Sequence, residues 1–146
     1  MSKGNTFENE ILQLIFNNVD IADIGDAGGL QNSATAGSLY VALHTGDPGE
    51  AGSATTSECA YGSYARVAVA RTVGGWTVSG ATASNTAQIS FPECTSGSET
   101  ITYVSITTAS SGASKILYSG ALTASRAVSS GITPLFAASG LTVTED

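Results

Sequence analysis

From Tyr64 to its last residues the chain is a succession of short runs that alternate apolar and polar residues. Gly, Pro, Ser or Asn cuts these runs roughly every 8 to 12 residues. A run of four to eight residues with period-two alternation suits a half-buried strand and is too short for a stable helix. Many such runs at this spacing predict a sandwich or barrel and exclude a parallel sheet with crossover helices.

The clearest run is Leu39-Tyr-Val-Ala-Leu-His44, stopped by Thr45-Gly46-Asp47-Pro48-Gly49. Pro48 fixes its own φ and lacks an N–H, so the strand must turn there. Further strands are expected over Tyr64–Arg71, Trp76–Ser79, Thr86–Phe91, Thr100–Thr108, Lys115–Ser119, Ala121–Val128, Ile132–Phe136 and Leu141–Thr144. Gly80 to Asn85 reads as a polar connection. Pro134 assigns its strand to an edge or a bend.

One helix stands apart. Phe7, Ile11, Leu14 and Ile15 fall at helical spacing, and Leu12, Phe16 and Val19 widen the stripe, which predicts an amphipathic helix over about Phe7 to Asn18. Asn5 and Glu8 have the spacing of a capping box. The expected fold is mainly β: a jelly-roll-like or related β-sandwich of about eight strands with one N-terminal amphipathic helix. Residues 1–37 carry the helix and a connecting arm, and 38–146 the sandwich, in one structural domain. No fixed-period repeat points to a fibrous β-helix.

Composition narrows the function. Charged residues make up 12% of the 146-residue chain, where about 25% is usual. Serine and threonine supply roughly a quarter, which favours strands and turns. A polar surface with so few charges suits a protein packed against neighbours; a free Ser/Thr-rich β-domain is the alternative. The net charge is −7, and the five basic residues, Lys3, Arg66, Arg71, Lys115 and Arg126, form no cluster. Nucleic-acid binding is therefore not expected. Neither a signal peptide nor a membrane span is read.

Chemistry is sparse. His44 is the single histidine, and no Gly-x-Ser-x-Gly elbow marks a nucleophile, so His44 is expected to hydrogen-bond the turn beside it and no enzyme activity is expected. Asp20, Asp23 and Asp26 come every third residue, which is not the ligand order of a calcium loop. Cys59 and Cys94 lack the spacing of a metal clip, and reduced, partly buried thiols are expected. No cofactor is expected. Tyr40, Tyr61, Tyr64, Trp76 and Tyr103 could form a sugar-stacking platform. The stretch from about Thr45 to Gly62 is long for a loop without structure of its own. It suits an arm laid over a neighbouring subunit, or a mobile surface loop.

Four segments, LYVALHTGDPGEAG (Leu39–Gly52), SYARVAVAR (Ser63–Arg71), WTVSG (Trp76–Gly80) and LTVTED (Leu141–Asp146), resemble in order a family of small virion proteins of tailed bacteriophages. These are described as tail-fibre-like or as head decoration (cement) proteins. The resemblance implies a non-enzymatic virion protein, assembled in the host cytoplasm. The first expectation is a decoration protein bridging capsomers on the outer head surface, with the major capsid protein as partner. Tail proteins are the alternative partner for a fibre-like or tail-tip role, and a glycan-binding module is a third reading. Self-association into a dimer or trimer is expected. Contact residues are expected on the helix (Phe7, Ile11, Phe16) and in the loop (Pro48, Glu50, Tyr61).

Overall fold

The computed structural model describes residues 1 to 146. The chain is mainly β with a single helix at its N-terminus, as the strand spacing predicts. Its elements are α1 (Asn5–Asn17), β1 (Ser38–His44), β2 (Val67–Ala70), β3 (Trp76–Ser79), β4 (Thr82–Asn85), β5 (Ile89–Ser90), β6 (Ser98–Thr107), β7 (Ile116–Ser129), β8 (Leu135–Phe136) and β9 (Thr142–Thr144). The strands form sheets of four (β2-β1-β6-β7), three (β3-β4-β9) and two (β5-β8). No helix is long and apolar enough to cross a membrane.

The chain divides into two compact units, neither continuous in sequence. The first comprises Met1–Ser38, Val69–Gln88 and Phe136–Asp146, and the second Leu39–Ala68 and Ile89–Leu135.

In the first unit α1 buries Leu12 and Phe16 against the β3-β4-β9 sheet, and the Phe16 ring lies 4.8 Å from that of Trp76. The helix starts earlier than its apolar stripe suggests. Gly4, extended, occupies the cap position, Asn5 is already helical, and no side chain caps the end, so the Asn5–Glu8 box does not form. The other end is well satisfied. Asn18 turns left-handed (φ 57°), and Val19 N–H donates to Gln13 O at 3.2 Å. The Arg71 guanidinium donates to the carbonyls of Leu14 (2.6 Å) and Ile15 (2.7 Å). A cation there satisfies orphan carbonyls and meets the negative end of the helix dipole.

The connection expected over Gly80–Asn85 contains instead the central strand of this sheet. Thr82-Ala-Ser-Asn85 pairs with Trp76–Ser79 on one side and Thr142–Thr144 on the other. Its inward residues are Ala83 and Asn85. A fully buried asparagine is tolerated because its amide is satisfied: Nδ2 donates to Ala87 O and Ala137 O, and Oδ1 accepts from Leu141 N–H. Polarity in the sequence thus concealed an inward face.

Ahead of the sheet, Ile21 and Leu30 exchange both backbone hydrogen bonds. Asp26 Oδ1 accepts from Gly28 and Gly29, and Asp20 Oδ1 from Asn32. These aspartates serve the turn as backbone acceptors. Gly29 has φ +60°, and a Cβ there would sit 1.8 Å from Ile21 O, so only glycine fits.

In the second unit β1 and β6 are the inner strands of the four-stranded sheet, paired antiparallel from Tyr40↔Thr107 to His44↔Tyr103. Val41 to His44 and Val104 to Thr107 are buried on both faces, so alternation fades there and the core of this unit lies on these two strands. The two runs expected around Gly120 are one continuous strand, β7, at the edge of the sheet.

Candidate interaction site

The stretch from Thr45 to Gly62 leaves β1 and is tied down along its length. Thr45 N–H donates to Ser57 O (2.8 Å), Cys59 N–H to Leu43 O (2.9 Å) and Ala54 N–H to Ser114 O (3.0 Å). Asp47 Oδ1 accepts from Gly49 N–H at 2.9 Å and sets the turn around Pro48. Gly52 closes it, since a Cβ there would lie 1.9 Å from Pro48 O.

Three side-chain clasps hold this loop. In the first, Arg66 meets Glu58 through two parallel bonds, Nε to Oε1 at 2.6 Å and Nη2 to Oε2 at 2.8 Å. The remaining Arg66 donors reach Ala109 O, Gly112 O and Ser114 Oγ at 2.8 to 3.0 Å. Tyr64 O–H also donates to Glu58 Oε1 (3.1 Å). The Arg66 side chain is 2% exposed, and its hydrogen bonds to Glu58 raise its pKa above the usual value despite burial. A bidentate, fully hydrogen-bonded pair of this kind fixes both backbone segments.

The second clasp is His44. Its Nδ1 lies 2.9 Å from Thr56 O and its Nε2 2.7 Å from Ser105 Oγ. A carbonyl only accepts, so Nδ1 carries the proton and Nε2 accepts from the Ser105 hydroxyl. Burial lowers the His44 pKa and keeps the ring neutral, with the charges of Glu58 and Arg66 pulling in opposite directions. The Ser105–His44 spacing is that of a nucleophile and its base. Both residues are sealed in the sheet, however, and the second ring nitrogen faces a carbonyl in place of a carboxylate. The arrangement joins the loop to the sheet: the ring bonds Thr56, twelve residues along the loop, and Ser105 on β6, and not the adjacent turn at Thr45–Gly49 that the sequence suggests.

The third clasp is Glu99, whose carboxylate accepts from the N–H groups of Ala60 (2.9 and 3.0 Å) and Tyr61 (3.1 Å). Tyr61 O–H donates to Pro92 O, and its ring meets Tyr64 edge-on at 5.3 Å. Burial pushes the Cys59 thiol and the Tyr61 phenol each up to about 12. Both cysteines are free and buried.

The expected contact residues therefore separate by burial. In the loop Glu50 is exposed, while Pro48 and Tyr61 are interior. On the helix Phe7 is 37% exposed and Ile11 half-buried, while Phe16 packs on Trp76 inside the first unit. Phe16, Pro48 and Tyr61 are buried, so little of each side chain is open to a neighbouring subunit. Phe7, Ile11 and Glu50 retain surface. Trp76 and Tyr61 are likewise closed off from a sugar-stacking role. No group of three His, Cys, Asp or Glu side chains converges as a metal site would require.

Sequence reasoning missed Glu58, Arg66, Arg71 and Glu99. The available signal was scarcity. With 12 acidic and 5 basic residues in the chain, a charge set inside an apolar stretch such as Tyr64–Ala70 is placed there for pairing.

The chain is mainly β with a single N-terminal helix, and its family marks it as a structural protein of the tailed-phage virion. The family model of the podophage GP4 fiber I protein gp80 matches residues 2–144, and the chain belongs to that family. No curated protein matches it significantly.

Proposed function

We propose that this chain is a non-enzymatic, fibre-type component of the virion that docks on tail proteins. The observation that carries the reading is the family match across nearly the whole chain, to a family described as a podophage fiber protein. The folded unit as a whole, and no graftable motif, is then what the role uses. Phe7 and Ile11 supply apolar surface for docking, and Glu50 supplies an exposed charge on a loop that pays little ordering entropy, because its clasps already fix it.

The shell-decoration reading, with the major capsid protein as partner, rests on the weak and acidic charge balance, which suits an outer head surface. Cryo-electron microscopy of purified particles separates the two. Density for this chain in a few copies on the tail supports the fibre reading, and hundreds of copies over the head overturn it. Phe7→Asp is expected to abolish incorporation while leaving the thermal midpoint of the free protein unchanged. Full incorporation of that variant removes Phe7 from the contact.

A further inference from the structure

We propose that the Glu8 carboxylate, in the first turn of α1, receives an arginine side chain of the tail protein; this rests on the reading that Phe7 and Ile11 of the same helix dock there.

Glu8 is a charge out of place. It shares one helix face with Leu12 and Phe16, four and eight residues on, and these three are the buried residues of α1. At 8% exposure it is as enclosed as Val143 in β9. A carboxylate set that deep is costly unless something pairs with it. The other buried polar residues all have partners: His44 bonds Thr56 and Ser105, Arg66 bonds Glu58, Asn85 bonds three backbone groups, and Thr107 bonds Ala109 O. Glu8 makes no hydrogen bond and belongs to neither ion pair of the chain, which are Lys3–Glu145 and Arg66–Glu58. Nor are its oxygens sealed. The fully enclosed side-chain atoms that lack a partner are Trp76 Nε1 and Thr102 Oγ1, so the Glu8 carboxylate stays open to an incoming group.

The chain has committed the cations that could have served it. Lys3, the nearest in sequence, donates to Asp146 O (2.6 Å) and pairs with Glu145 (3.0 Å). Arg66 is held by Glu58, and Arg71 by the far end of α1. Lys115 and Arg126 belong to the second unit. The start of a helix favours a negative charge, but that attraction supplies no hydrogen bond.

The rim of the site selects arginine. Ile11 and Leu12, three and four residues on, flank Glu8 along the helix, and Phe7 beside it is 37% exposed. Both carboxylate oxygens are unbonded, so a guanidinium can meet them with two parallel bonds, as Arg66 meets Glu58. A guanidinium is also less strongly hydrated than an ammonium and lies flat on aromatic faces, which suits a site edged by Phe7 and Ile11. Those two residues supply contact area and Glu8 supplies selection, since a partner without the cation would bury this carboxylate unpaired.

The test is incorporation of full-length variants into particles grown without the wild-type protein. Copy number is read by quantitative mass spectrometry, together with the thermal midpoint of each free protein. Glu8→Gln keeps the shape and removes the charge. It is expected to lower incorporation by about tenfold or more, the effect of leaving a desolvated partner charge unpaired, without lowering the midpoint. Glu8→Lys is expected to abolish incorporation. Glu10→Gln, about 200° round the helix, is expected to incorporate as the wild type does. Full incorporation of Glu8→Gln overturns the proposal; if Phe7→Asp is excluded in the same assay, docking through α1 stands and only the charge recognition falls. If both variants incorporate fully, both readings fall. A lowered midpoint for Glu8→Gln also overturns the proposal, because the carboxylate then serves its own fold. So does a dimer of the free protein that Glu8→Gln dissociates, because the cation then comes from a second copy. In a cryo-electron microscopy map of the particle, a partner residue other than arginine at Glu8 overturns it as well.

Discussion

The loop from Thr45 to Gly62 and the strand β7 belong to the same unit, and each behaves opposite to its composition. The loop is rich in Gly, Ala, Ser and Thr, the residues of mobile segments, yet its backbone is hydrogen-bonded at both ends and at Ala54, and three clasps hold its second half. β7 has the apolar alternation of an ordinary strand, yet Val128 is its only buried residue. The difference teaches that composition reports what a backbone will accept locally. Order comes from partners supplied elsewhere: Arg66 for Glu58, Ser105 for His44, Glu99 for Ala60 and Tyr61.

The sharpest way to break this contrast is to remove a clasp. Arg66→Ala leaves the Glu58 carboxylate partly buried and unpaired, and is expected to destabilise the protein by about 3 to 5 kcal/mol in urea unfolding. Replacing both members by methionine should restore the part of that loss that comes from the orphaned charge, while Ala109 O, Gly112 O and Ser114 Oγ still lack their Arg66 donors. Recovery no better than Arg66→Ala alone would mean that the hydrogen bonds of Arg66, and not merely the orphaned charge, hold the loop.

A smaller effect comes from acid. The folded protein keeps His44 neutral below the pH at which the unfolded chain takes up a proton, near 6.5. Stability from this residue is therefore complete above about pH 6.5 and falls as the pH drops toward the depressed native value. The slope is up to about 1.4 kcal/mol per pH unit. Urea midpoints followed between neutral pH and pH 5 should show this slope in the wild type and lose it in His44→Gln.

The smallest effect is expected on β7. Thr123→Ser and Ala124→Ser should change monomer stability by no more than about 0.5 kcal/mol, since neither side chain is buried. A larger loss would show that β7 rests on something within its own chain, and the contrast with the loop would narrow.

Legibility followed the range of the interaction. β1, stopped by Pro48, and β3 at Trp76–Ser79 were readable because alternation and turn chemistry act over a few residues. The helix was readable from its stripe, although its cap was misplaced, because Gly4 took the position that Asn5 seemed suited to. β4 was not readable: Asn85 looks like a turn residue until Ala137, 52 positions later, offers its carbonyl. Among the candidate contacts, Phe7 and Glu50 stayed on the surface while Phe16, Pro48 and Tyr61 went inside. Periodicity defines an apolar face and cannot say how far toward its rim a neighbour covers it.

By itself, then, the sequence determined a mainly β chain with one amphipathic helix, a weakly charged surface and a resemblance to small phage virion proteins. The first three follow from local alternation, turn residues and composition, and the resemblance rests on four matching segments in order. Only the tertiary structure decided which of the few charges are paired, that the long loop is rigid, and that β7 stands open at a sheet edge. Each of these depends on residues tens of positions apart meeting at hydrogen-bonding distance, and such meetings are set by strand order and register, which no local pattern encodes.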